Sequence, residues 1–154
     1  MNLSAVYNNT GRFAECIEAC EKARDVAPFR GETLLKGQIA SAEATAWLNT
    51  GNYDNALYHG GCAIALFQQA GAGKEVGKAT LKQGSVLFRT GQWAEAIENF
   101  SKAIQVSKAY GDVKLEVKAL LEIGIVFRQV RLLYLAIDHF QSTKPALQNC
   151  TSTE

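Results

Sequence analysis

Three glycine-anchored stretches stand at a constant interval: Gly11-Arg-Phe-Ala-Glu-Cys16, Gly51-Asn-Tyr-Asp-Asn-Ala56 and Gly91-Gln-Trp-Ala-Glu-Ala96, each 40 residues from the next. A further step of 40 lands on Arg131-Leu-Leu-Tyr-Leu-Ala136, which keeps the alanine and loses the glycine. Self-similarity at a fixed period of this size constrains the fold more than any other feature. A unit this short cannot bury its apolar face alone, so the units must stack.

The columns of the repeat carry a size code. Two residues after the glycine come Phe13, Tyr53, Trp93 and Leu133; five after it come Cys16, Ala56, Ala96 and Ala136. Four before it come Tyr7, Trp47, Leu87 and Phe127; seven before it come Ser4, Ala44, Gly84 and Gly124. Small residues recur where helices approach closely, and large ones where a gap must be filled. The periodicity predicts helices at 2–9, 12–27, 31–49, 52–70, 74–89, 92–109, 113–129 and 132–143. Thr10-Gly11, Thr50-Gly51 and Thr90-Gly91 are the expected tight turns within units, where glycine adopts a backbone that other residues resist. Gly71-Ala-Gly73 and Gly111-Asp112 are the expected breaks between units, with Asp112 placed to cap the helix after it.

This pattern resembles the tetratricopeptide repeat, most closely at Gly84, Leu87, Gly91, Trp93, Ala96, Phe100 and Ala103. The resemblance covers nearly the whole chain and implies an all-α fold, a right-handed α-solenoid of about four helix-turn-helix repeats. The expected units are about 1–30, 31–72, 73–112 and 113–148, followed by a polar tail at 149–154. The usual repeat is shorter, and the 40-residue spacing looks like the long variant of polarity adaptors that bind GoLoco-type peptides. Only Pro28 occupies the place of the closing proline, and Cys20 and Gly60 stand in the column of Phe100 and Phe140. The first unit begins late and the fourth loses its turn glycine. The expectation is therefore that the stack continues into missing chain or packs its ends on another subunit.

Bulk composition excludes little and supports little else. Sixteen basic against fifteen acidic side chains leave a formal net charge of +1, which gives no support to phosphate-driven nucleic-acid binding. No apolar run approaches the roughly 18–20 residues of a membrane span, and the N-terminus lacks the shape of a signal peptide. A cytoplasmic protein is the resulting expectation. Cys16 and Cys20 share a helical face, but no second Cys/His pair follows at zinc-ligand spacing, so no metal site and no cofactor are expected. A bridge between these two is not expected either, since cysteine often serves as a small buried hydrophobe.

No catalytic motif emerges. Gly71-Ala-Gly-Lys-Glu-Val-Gly-Lys-Ala-Thr80 has the wrong spacing for a phosphate loop and follows no strand. His59 and His139 share a column, which in a solenoid spreads them along the axis, so both are expected as surface or partly packed side chains. The chain is expected not to be an enzyme.

The resemblance implies that the first helix of each unit lines the concave groove. The residues it places there include Asn49 from the second unit, Lys78, Lys82, Ser85, Phe88 and Arg89 from the third, and Lys118, Glu122, Ile125 and Arg128 from the fourth. Lys78, Lys82, Ser85 and Arg89 form one helical stripe. A basic rim over an apolar floor suits a protein or peptide partner with acidic and apolar residues. The columns that clamp a C-terminal carboxylate in some family members hold Met1 and Ala5, which does not fit that mode. Function is thus expected to be that of a protein-binding scaffold or adaptor. The alternative is a structural subunit of a larger assembly, held by its convex face and solenoid ends.

Overall fold

Turn chemistry sets the helix boundaries. Gly11, Gly51 and Gly91 take positive φ angles of 74°, 80° and 80°. The residue after each glycine then closes on a carbonyl five positions back: the Asn52 amide donates to the Trp47 carbonyl at 2.9 Å, and the Gln92 amide to the Leu87 carbonyl at 2.9 Å. These bonds satisfy carbonyls that a helix C-terminus would otherwise leave open. The threonine before each glycine adds a second lock. Its hydroxyl donates to the carbonyl three residues earlier, from Thr10 to Tyr7, Thr50 to Trp47 and Thr90 to Leu87.

The structure, a computed structural model, describes residues 7, 9–26 and 33–150. Helical Tyr7 and Asn9 lead into α1 (Phe13–Val26), α2 (Thr33–Asn49), α3 (Tyr53–Gln69), α4 (Gly73–Arg89), α5 (Trp93–Tyr110) and α6 (Val113–Cys150). Most of the first expected helix, 2–9, lies outside the described residues. Asp112 caps α6 as its position suggested, its carboxylate accepting from the Leu115 amide at 3.1 Å. Asn52 caps α3 in the same way, accepting from the Asn55 amide.

Helices pack in chain order, α2 on α3 and α4 on α5 most extensively, then α3 on α4, α5 on α6 and α1 on α2. In addition α4 touches both α2 and α6, so these three helices form one layer. The close pairs depend on size complementarity. A Cβ built on Gly84 would fall 2.6 Å from Cε1 of Phe100, so the ring lies flush on the α4 backbone. One unit earlier the sizes change and the facing columns do not: a Cβ on Gly60 would meet the Cβ of Ala44 at 4.0 Å. Phe100, Ala96 and Ala103 are fully buried against Leu87, Leu115 and Val126.

One expectation is corrected. Helices 113–129 and 132–143 are not separate; α6 runs unbroken from Val113 to Cys150. The reason is local. Val130-Arg131 stands where the other units have Thr-Gly. Valine has no hydroxyl for the carbonyl lock. Arginine in the left-handed region costs on the order of 1–2 kcal/mol that glycine does not. Without a turn, the last turns of α6 leave the stack, and Leu132, Leu133, Tyr134, Leu135 and Ile137 are exposed.

Glycine substitutions test the packing. Gly84→Ala should lower stability by about 1–3 kcal/mol, because the added methyl collides with Phe100. Gly61→Ala, where nothing among the described residues lies within 4 Å, should raise it by up to about 1 kcal/mol through helix propensity. Urea denaturation of the two variants measures both.

Candidate functional site

The layer of α2, α4 and α6 carries the candidate groove. Lys82 is its centre. Although the side chain as a whole is exposed, its Nζ ends between helices, donating to Thr45 Oγ1 at 3.0 Å and Ser41 Oγ at 3.3 Å across on α2. Thr45 in turn donates to the Ser41 carbonyl at 2.8 Å, which orients its hydroxyl to accept. Burial of the amine pushes the Lys82 pKa down from its ordinary value; the charges of Lys118 and Lys78 lower it further, and Glu75 opposes them.

Two adjoining depressions share this lysine. One, of about 440 Å³, is lined by Lys78, Leu81, Lys82, Asp112, Leu115 and Lys118, with Lys114 at its edge. The other, of about 290 Å³, is lined by Lys82, Ser85, Phe88, Arg89, Lys118 and Glu122, with Leu48 and Ile125 closing it. Eight of the ten residues singled out from the sequence thus stand side by side. Asn49 and Arg128 are exposed on the same helices but line neither depression. The floor differs from the simple expectation of a basic rim, because the Lys82 amine lies inside it. Phe88 is half-buried and packs on the core, whereas Ile125 is 37% exposed. Lys78 is engaged by Glu75 at 3.0 Å. Among the described residues Lys82, Arg89 and Lys118 form no ion pair.

A second cluster escaped the sequence reading. Glu43, on the buried side of α2, is 2% exposed. Its Oε1 pairs with Arg24 from α1, and its Oε2 lies 2.8 Å from Nδ1 of His59 on α3. That second contact is close but poorly aligned: among the described residues no hydrogen-bond donor points at Oε2, and the contact becomes an ion pair when the imidazole is protonated. The trio opens into a cavity of about 250 Å³ bounded by Lys36, Ile39, Tyr58 and Cys62. Its evident work is to tie α1, α2 and α3 together. One signal was available. Glu43 is the lone charge in Ala40-Ser-Ala-Glu-Ala-Thr-Ala46, in a column held by Gln83 and Ile123 in the next units. Nearby, burial raises the Cys16 thiol pKa, with the Cys20 hydrogen bond opposing and the Glu43 charge adding to the rise. Among the described residues no group of three or more His, Cys, Asp or Glu side chains could hold a metal ion. No described helix is long and apolar enough to cross a membrane.

Comparison with known proteins agrees with this geometry at the level of the fold. A family model for the tetratricopeptide repeat matches residues 1–29. Among solved structures, the crystal structure of aspartyl phosphate phosphatase F from Bacillus subtilis superposes with a TM-score of 0.80 at 16% sequence identity. The match covers 98% of this chain and 40% of that one, so this chain spans well under half its length. No curated protein matches in sequence. The chain has a tetratricopeptide-like helical-repeat fold, all-α throughout its described residues.

Two outcomes follow. Arg24→Met should lower stability by about 1–3 kcal/mol by leaving a buried carboxylate short of a partner, and Glu43→Met in the same chain should restore most of it in urea denaturation. For Lys82 the folded pKa lies below the unfolded one, so the protonated amine costs stability at neutral pH. That cost is relieved as pH rises through the folded pKa towards 10.5. Lys82→Met should therefore melt no lower than wild type at neutral pH, and any gain should shrink near pH 10.5.

Proposed function

We propose that this chain is a non-enzymatic protein-interaction module that takes a peptide segment along the face of α2, α4 and α6. The observation that carries the reading is the Lys82 amine, held in the groove floor by two neutral hydroxyls with Lys118 and Lys78 beside it. Of these three cations only Lys78 has a carboxylate partner among the described residues, Glu75; Lys82 and Lys118 raise one another's energy, and an incoming carboxylate relieves that cost. Phe88 and Ile125 lie a helical turn or more away and offer apolar contact to a neighbouring residue of the same ligand. The preferred ligand is a helical or extended segment with Asp or Glu flanking Leu, Ile or Phe. GoLoco-type peptides, to whose binders the 40-residue period is similar, are the first class to try. The tetratricopeptide match supports a protein partner in general, and the solved phosphatase structure supports the fold alone.

The reading has a direct test. Selection from a random peptide display library on the immobilised protein should return acidic sequences with apolar anchors. Lys82→Glu combined with Arg89→Glu should lose them, at least tenfold in affinity, without lowering the melting temperature. Selected peptides that lack acidic residues, or that bind the double variant unchanged, would contradict it.

A further inference from the structure

The column code leaves one pair unmade. In the third unit Gly84 of α4 and Phe100 of α5 face each other, and no Cβ fits between them. In the second unit the same two columns, Ala44 and Gly60, also meet. The fourth unit repeats the third by sequence, with Gly124 and Phe140 in these places. Among the described residues nothing lies within 4 Å of where a Gly124 Cβ would stand. Within one straight helix the pair cannot form, since 16 residues separate it by roughly 24 Å.

Among the described residues the face that should be covered is therefore bare. Val117, Leu120 and Phe127 are 50%, 53% and 60% exposed. Their equivalents Gly77, Thr80 and Leu87 are buried beneath the helices that follow. This face lies on the opposite side of α6 from Lys118, Glu122 and Ile125, and is distinct from the peptide groove. The segment built to cover it also goes unused: Leu133 and Ala136 hold the columns of Trp93 and the fully buried Ala96, yet both are exposed. Folding back would require a turn at Val130-Arg131, which has lost both the threonine lock and the glycine.

From this we infer that α6 is a dimerisation helix, and that its partner is a second copy of this chain. Two α6 helices cross antiparallel about Leu132, each laying its 132–143 segment on the partner's Val117, Leu120, Gly124 and Phe127. Leu132 is midway between Gly124 and Phe140, just as Gln92 is midway between Gly84 and Phe100. The register of the α4–α5 hairpin is thereby reproduced between molecules with no turn needed. Such exchange of an identical element is a low-cost route to a closed two-fold dimer.

Sedimentation equilibrium of the full chain tests it. Wild type should sediment at twice 16.7 kDa. Gly124→Leu fills the notch and should sediment as a monomer, with helical content by circular dichroism unchanged, because the substituted site is open in the single chain. Val130→Thr with Arg131→Gly restores the turn, lets 132–143 fold back on its own chain, and should weaken dimerisation at least tenfold. A monomeric wild type, a dimer that survives Gly124→Leu, or a dissociation constant unmoved by the restored turn would each overturn the inference.

Discussion

The phenyl ring of Phe100 lying on the bare backbone of Gly84 sets the distance between α4 and α5, and the rest of the third unit depends on that distance. Burying a phenylalanine side chain is worth roughly 1.5–3 kcal/mol, and helix axes can close on it only where the opposing residue lacks a Cβ. With α4 and α5 fixed, Ala96 and Ala103 seat without gaps, and α6 docks through Leu115, Ala119 and Val126. The second unit reaches close contact with small residues on both sides, Ala44 against Gly60, and uses Phe67 under Gly37 instead. The same architecture thus tolerates different fillings provided the paired columns stay complementary.

Stacking at this spacing has an electrical consequence. The α2, α4 and α6 layer brings equivalent side chains from successive units into one row, so a lysine repeated in a column meets its own repeat. Lys78 and Lys118 are such a pair, and Lys82 sits between them with its amine partly removed from water. Like charges held together raise each other's energy, and the fold bears that cost with two hydroxyls from α2 as the hydrogen-bond partners of Lys82 among the described residues. Elsewhere the molecule neutralises its charges locally, as in Arg12–Glu15, Lys22–Glu18 and Lys102–Glu98. Lys78 has Glu75, but Lys82, Arg89 and Lys118 form no ion pair among the described residues, and that difference from the satisfied surface pairs is the physical basis for proposing recognition in the groove.

Much of this was legible in the residues. Thr-Gly turns, alternating small and large columns and the Asp112 cap are local signals, each decided within a few residues, and they placed the helices from Phe13 to Tyr110 to within two or three positions. Eight groove residues could be placed together because a repeat converts sequence spacing into neighbourhood. What failed was information not carried by the column pattern. Leu133 and Ala136 look like a second helix, but the hinge before them lacks its two turn residues, and the hinge decides whether a helix ends. Glu43, His59 and Arg24 meet through three different helices at spacings unrelated to the repeat period, so no periodic reading could join them.

The central claim is that partner recognition belongs to the α2–α4–α6 face. The most direct measurement is the amide chemical-shift change of the labelled protein on titration with an acidic, apolar-anchored peptide. The account predicts that the large shifts cluster at Lys78, Lys82, Ser85, Arg89, Lys118 and Glu122. Shifts concentrated instead on α3 and α5, with those groove amides unmoved, would contradict it.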